Sequence, residues 1–394
     1  MKLQKTVLIL AACLQGGVTL AESLQLRSEG NDLRVSVLTA APDSPLANTR
    51  REAVSFSMPL NGSAAGFTTP SAFTAVSREY RIPVSAKALA QGVSVRTTAP
   101  GAVLALSPVG SVNGAALGPL DLTIKTPAGA TLRGSDAMDQ LVDQRAIAAT
   151  GVPFSNGMIG FRFNRALGAG EFVVSANKRV TQHYVLHVFD ASSRATLSLA
   201  APEQALVGQT FRAAGGFSGN NAPIERAAGF LVSPNGDRVP AEVSIDGASF
   251  DVKANATDAS SFDGLWELHV SAVDANGLQR DVKTALAAAY ATARLDGTIE
   301  KRGLQFEFGI EAAIAGRYEV SAVLVGTGAS GPTPVLMGAS AKWLERGAGH
   351  ITLEFDAAAL KAAGVDAPFA LMSVALKDQS RMAVLERVAQ GVSF

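Results

Sequence analysis

The chain has 394 residues, 47% of them apolar, with 34 basic and 34 acidic side chains. That balance lacks the basic footprint of a protein that grips nucleic acid or an anionic lipid surface. Cys13 is the only cysteine, so no internal disulfide staples the fold, and stability must come from packed cores, for which this length suffices.

The chain opens MKLQKTVLILAACLQGGVTLAES. Lys2 and Lys5 form a positive start, Thr6 to Leu14 an apolar run, and Thr19-Leu20-Ala21 a small-residue ending. This pattern predicts a signal peptide over residues 1–21, cut after Ala21. Leu10-Ala11-Ala12-Cys13 also fits a lipobox, which would leave a lipidated Cys13 as the N-terminus. Loss of Lys2 and Lys5 leaves 32 basic against 34 acidic residues, a net charge of −2. No later segment approaches the ~20 continuous apolar residues of a membrane helix, so no transmembrane segment is expected in the mature chain.

Residues 22–194 are expected to form an N-terminal β-rich domain. Within it, "SDAMDQLVDQRAIAA" (135–149) sets Met138, Leu141, Ala146 and Ile147 roughly on one side, the spacing of a short helix. "TQHYVLHVFD" (181–190) holds two of the four histidines, His183 and His187. On a helix they would share a face and could hold a metal. Tyr, Val, Val and Phe favour a pleated surface instead, and no cap or helix former flanks them. On a strand, positions four apart lie ~13 Å apart at ~3.3 Å per residue. A metal needs its nitrogen ligands within ~2.1 Å, so the strand reading makes both histidines structural.

Beyond residue 24, period-two alternation dominates, and "DASSRATLSLAAPEQALVGQTF" reads as a linker at the boundary near 194. "LWELHVSAV" (265–273) places Trp266, Leu268, Val270 and Ala272 on one face and Glu267, His269 and Ser271 on the other. "GHITLEF" sets Ile351, Leu353 and Phe355 against His350, Thr352 and Glu354. "RYEVSAVLVG" and "LQFEFGIE" read the same way, as half-buried strands with one wet face. Asn235-Gly236, Asp246-Gly247, Asp263-Gly264, Asn276-Gly277 and Asp296-Gly297 are tight-turn dipeptides that tolerate positive φ. "FLVSPNGDRVPAEVSI" is accordingly a hairpin. Asp356 can cap a short helix over 357–363, ended by Gly364. The expected fold is all-β: tandem antiparallel β-sandwiches, immunoglobulin-like in the C-terminal half, divided as 195–288 and 289–394. Trp266 belongs to the first core, and Trp343, just before a turn, is expected to cover an edge of the second.

Four stretches carry a family resemblance: "SREYRIPVSAKALAQGVSVRTTAPGAVLALSP" (77–108), "QHYVLHVFDASSRATLSL" (182–199), "GLWELHVSAVDANGLQRDVKTALA" (264–287) and "SAKWLERGAGHITLEFDAAALKAAGVDAPFALMSVALKDQSRMAVLE" (340–386). Together they resemble an exported Gram-negative bacterial family known only as a domain of unknown function. The resemblance implies an N-terminal β domain followed by two immunoglobulin-like domains, and it brings no catalytic residues. Where similar segments read Gly-Pro-Tyr, this chain has Ala367-Pro368-Phe369.

The usual chemical signatures are missing. No Gly-x-Ser-x-Gly elbow occurs, and Ser175-Ala176-Asn177-Lys178 matches Ser-x-x-Lys only at the end of a strand rather than at the start of a helix. Glu267, Glu307, Glu311 and Glu354 lie on strand faces that point away from the cores, where charge is normally solvated. Asp274-Ala275-Asn276-Gly277 lacks the acidic twelve-residue loop of a calcium site. No catalytic, cofactor-binding or metal-binding residue is therefore assigned, and no cofactor is expected. The leading expectation is an exported, non-catalytic binding or structural module acting on an unknown protein or polysaccharide partner, in the periplasm or outside the cell. The alternatives are a secreted hydrolase with a carboxylate site in the N-terminal domain, or an accessory or inhibitor of another secreted enzyme.

Overall fold

Alternating apolar residues draw most of the described residues into antiparallel sheets, and the α-helices Ala86–Gln91 and Ala357–Ala362 are short segments between strands. The computed structural model describes residues 21–394 apart from 29, 31, 43–44, 61–72, 111–116, 143–156, 220–221, 261–263 and 330. The predicted leader, Ala21 excepted, lies outside the described residues. Two compact units form. One comprises residues 70–290; the other comprises 291–394 with the segment that precedes residue 70.

In the first unit, one continuous ladder supplies most of two sandwiches. Its first part rolls around a middle sandwich whose core holds Leu197, Leu199, Phe250, Val252, Trp266, Leu268 and Val270. Strand Trp266–Asp274 alternates as expected: Trp266, Leu268, Val270 and Ala272 are buried, and Glu267, His269 and Ser271 are half-buried. The predicted hairpin is strands Ile224–Val232 and Arg238–Asp246, with Gly236 at φ 88°. Strand Phe73–Ser77 adds an edge by pairing with Thr196–Ala201. The short strand Gln204–Leu206 pairs in parallel with Gln279–Ala289.

The ladder continues through Glu79–Val84, Tyr184–Phe189, Val103–Pro108, Ile159–Phe163 and Met138–Val142. A separate four-stranded sheet built on Val93–Thr97 and Gly170–Ala176 closes this N-terminal sandwich. Its core contains Leu104, Phe161, Phe163, Phe172 and Leu186, with Phe163 and Phe172 stacked at 4.2 Å. The helix expected from residue 135 is not formed: Gly134–Ala137 is a 3-10 turn, and Met138–Val142 is a strand paired with Ile159–Phe163. Gly134 explains the early part, because a Cβ there would strike the Pro119 carbonyl. Residues 143–149 of that expected helix lie outside the described residues.

The second unit is a C-terminal sandwich completed from the other end of the chain. Its four-stranded sheet starts with Glu22–Gln25, paired with Ala293–Arg302; its five-stranded sheet starts with Val54–Pro59, paired with Gly331–Leu344. The sequence reading placed both segments in the N-terminal domain, because alternation reveals a strand but not its partner. Between them the segment stays attached through an isolated bridge, Leu33 to Arg387, and through bonds from Thr39 N to Ala291 O and from Ala47 N to Ser380 O. Strand Gly316–Gly328 is buried on both faces over most of its length rather than wet on one side. Asp296-Gly297 is no hairpin turn: it bulges strand Ala293–Arg302, where the register shifts between Leu295 and Ile299. Asp296 Oδ1 accepts from Thr298 N and Oγ1, and Gly309 on the next strand leaves room for its carboxylate. Asp263 lies outside the described residues. The helix at Ala357–Ala362 forms with Asp356 as its cap, as its sequence predicts.

Candidate functional site

Strand Gln279–Ala289 follows a tight turn, and its alternation turns Arg280, Val282, Thr284 and Leu286 inward. The first inward position is thus a guanidinium with no exposed surface. Burying such a charge is costly unless it is paired and hydrogen-bonded. Arg280 Nη2 donates to Asp190 Oδ2 at 3.0 Å, to Ser193 Oγ at 3.1 Å and to Thr98 Oγ1 at 3.3 Å. Nη1 donates to the Gln279 carbonyl at 2.9 Å and Nε to the Ala195 carbonyl at 3.4 Å. Burial pulls the Arg280 pKa down, and Asp190 opposes that fall.

Asp190 closes the strand Tyr184–Phe189 of the N-terminal sandwich, so the pair joins the two sandwiches of this unit. Its Oδ2 also accepts from Thr98 N and Oγ1, both at 2.8 Å, while among the described residues Oδ1 has no hydrogen-bond partner. Tyr80 stands beside the pair. Its hydroxyl donates to Arg96 O at 2.9 Å and accepts from Arg96 N at 3.0 Å, and burial pushes its pKa upward.

A cavity of about 380 Å³ opens next to this network. Arg96 and Thr98 of the N-terminal sandwich, Arg194 of the connection, and Asp274, Asn276 and Leu278 of the turn before Arg280 line it. The turn is held by Asp274, whose Oδ1 accepts from Asn276 N at 2.9 Å and Leu278 N at 2.7 Å. Asp274-Ala275-Asn276-Gly277 is therefore a backbone-capping turn, with Gly277 at φ 75°.

The residues weighed from sequence fall elsewhere. His187 lies on strand Tyr184–Phe189 and His183 just before it, and His187 Nε2 meets Glu79 Oε2 at 2.8 Å rather than the second histidine. His269 meets Glu267 at 2.9 Å and stacks on Phe230 at 5.0 Å. Glu267 also accepts from Lys283 at 2.8 Å, and that bond holds its carboxyl below the usual carboxylate range. Glu311 pairs with Arg294 at 2.6 Å, Glu307 faces His350 at 3.9 Å, and Glu354 is exposed on its strand. Ser175 and Lys178 do not meet chemically: Ser175 Oγ donates to Thr123 O, and Lys178 pairs with Asp121 at 2.6 Å. Among the described residues, no group of three or more His, Cys, Asp or Glu could hold a metal ion.

Sequence reasoning passed over the Arg280–Asp190 pair. Arg280 was legible in principle, since a charged residue in phase with Val282 and Leu286 must find a buried partner. Its partner, 90 residues earlier, left no local signal. Glu386 and Arg317 are among the buried charges of the C-terminal sandwich. Glu386 accepts from Val35 N at 2.9 Å and Leu295 N at 3.2 Å and forms an ion pair with Arg34 at 3.5 Å. Arg317 donates to the carbonyls of Arg50 and Glu52 and to Gln379 Oε1 at 2.8 Å.

Residues 45–190 match the N-terminal domain, and residues 286–394 the C-terminal domain, of a domain of unknown function, DUF4785. A crystal structure of a DUF4785 family protein from Legionella pneumophila is similar over 92% of this chain and 99% of its own, with 19% identity and a TM-score of 0.67. A tetra-tandem repeat from the extending region of a large adhesion protein covers 81% of this chain and 74% of its own, with 14% identity and a TM-score of 0.22. No curated protein matches the chain.

Proposed function

We propose that this chain, which belongs to the DUF4785 family, is an exported, non-catalytic β-sandwich module that binds or scaffolds at or outside the bacterial envelope. One observation carries this reading: the fully buried charges bind the protein's own chain. Arg280 and Asp190 join two sandwiches, and Glu386 and Arg317 hold the N-terminal segment against the C-terminal sandwich. Of the four surface carboxylates considered as hydrolase candidates, Glu267, Glu307 and Glu311 are engaged in cross-strand pairs with His or basic neighbours, and Glu354 is exposed on its strand. A frame stiffened in this way suits a module that presents loops, clefts and sheet edges to a partner. Export rests on the leader pattern of residues 1–21 and on the family resemblance.

The test is to express the full chain in a Gram-negative host, fractionate the cells and determine the intact mass. The reading expects a chain beginning at Glu22 in the periplasm or medium, and cross-linked capture of a partner from those fractions. Uncleaved protein retained in the cytoplasm would contradict export. Turnover of an extracellular polymer by the pure protein would contradict the non-catalytic role.

A further inference from the structure

We propose that the cavity between the N-terminal and middle sandwiches is a binding site for a carboxylate carried on a small hydroxylated body, such as an acidic sugar. This deepens the binding-module reading and rests on it.

Two exposed arginines line the cavity, and among the described residues neither pairs with a carboxylate. Strand Val93–Thr97 turns Val93, Val95 and Thr97 inward, so Arg96 points out. Its main chain is clamped in both directions by the Tyr80 hydroxyl, which fixes where the side chain starts. Its guanidinium reaches the turn of the middle sandwich: a Cβ placed on Gly277 would lie 3.5 Å from Arg96 Nη1. Arg194 is held from both sides. Ser193 Oγ accepts from Ala195 N at 3.0 Å, and Gly219 packs so closely on the Arg194 carbonyl that a Cβ there would strike it. Arg81, Arg294 and Arg280 are among the arginines that pair with carboxylates. Among the described residues, neither Arg96 nor Arg194 has such a pair. The one carboxylate in the lining, Asp274, is buried and caps its turn.

The rest of the lining fits the same class of ligand. The Asn276 amide offers a neutral hydrogen-bonding group beside the cations, and Leu278 supplies an apolar wall. A guanidinium is a planar fork of donors that matches a carboxylate with two parallel bonds. The volume, about 380 Å³, lies in the range of small-ligand sites. The Arg280–Asp190 network behind the cavity fixes the two walls relative to each other, so little ordering is left for binding to impose.

Titration calorimetry on the full chain tests this, with glucuronate, neutral glucose and inorganic phosphate as probes. Glucuronate should bind and glucose should not. Arg96→Gln and Arg194→Gln should each weaken glucuronate by about ten-fold or more, the loss of a charge-assisted hydrogen bond. The melting temperature should stay unchanged, because both side chains are exposed. No glucuronate binding, or binding unaffected by the double variant, would overturn the site. Phosphate bound as tightly as glucuronate would overturn the acidic-sugar assignment in favour of an unselective anion site. Partner capture that persists in the double variant, with no glucuronate binding by the unaltered chain, would remove the site and leave the binding-module reading standing.

Discussion

The two compact units build sandwiches of the same kind from opposite uses of the sequence. In residues 70–290, the middle sandwich contains three hairpin pairs of consecutive strands, spanning 224–246, 238–255 and 266–289, and the buried charge Arg280 meets a carboxylate. In the C-terminal sandwich, each sheet takes an edge strand from the first sixty residues, and the buried charges Glu386 and Arg317 meet main-chain groups of that segment. The hairpins of the middle sandwich can form as soon as their own strands exist. The C-terminal sandwich must close a loop of more than two hundred residues before its edge strands can pair. Such long closures slow folding and leave strand edges exposed meanwhile.

The largest effect that sharpens the comparison lies in the middle core. Trp266 is fully buried, and its Nε1 donates to Asp258 O at 2.9 Å. Trp266→Ala should cost about 3–5 kcal/mol. Hydrogen exchange should report that loss across 196–289 and spare the C-terminal strands. Trp343 is half-buried, covered by Arg51 at 4.4 Å and bonded to Glu345 at 2.9 Å. Trp343→Ala should cost about 1 kcal/mol, the scale of an exposed cation–π contact, and act only on the C-terminal sandwich.

The buried ion pair comes next. Arg280→Met strands Asp190 without its cation, a change that typically costs about 3–5 kcal/mol. Arg280→Met combined with Asp190→Leu should recover much of the loss in a urea melt, because apolar replacements of a buried pair are often neutral. Failure to recover would show that Thr98 and Ser193 need the charged pair to hold their places.

The smallest effect has opposite signs in the two units. Burial pushes the Glu386 carboxyl above its ordinary 4.5, against the pull of Val35 N and Arg34. A raised carboxyl holds its proton more tightly folded than unfolded. Its contribution to stability is therefore full below about 4.5 and lost as pH rises through the folded value. In residues 70–290, Glu267 and Asp121 are held low by hydrogen bonds from Lys283 and Lys178. Their contribution is present above their unfolded values and lost as pH falls through the folded ones. Mild acid should thus favour the C-terminal sandwich through Glu386 while weakening the other unit. Melts of each unit followed by hydrogen exchange from pH 7 to 4 would show the divergence, and Glu386→Gln should abolish its C-terminal half.

Most strands were legible because their pattern is local. Trp266, Leu268 and Val270 alternate with Glu267 and His269, and Asn235-Gly236 closes its hairpin, so period and turn chemistry agree. Residues 22–25 and 54–59 are different. A short strand such as Val54–Pro59 carries a period but nothing that names Gly331–Leu344 as its partner. The helix expected from residue 135 failed for a related reason, since pairing with Ile159–Phe163 outweighed a weak helical spacing. The candidate cavity was illegible because its two arginines, 98 positions apart in sequence, line one cavity only through the junction of two sandwiches. Family resemblance supplied the architecture and left the chemistry open.

The account stands or falls on the N-terminal segment as part of the C-terminal sandwich. The most direct measurement compares hydrogen exchange of the whole chain with that of a chain lacking residues 22–59. The prediction is that protection collapses throughout strands Ala293–Arg302 to Ala383–Ser393, while strands of residues 70–290 keep theirs. Unchanged protection in the C-terminal strands of the shortened chain would contradict it.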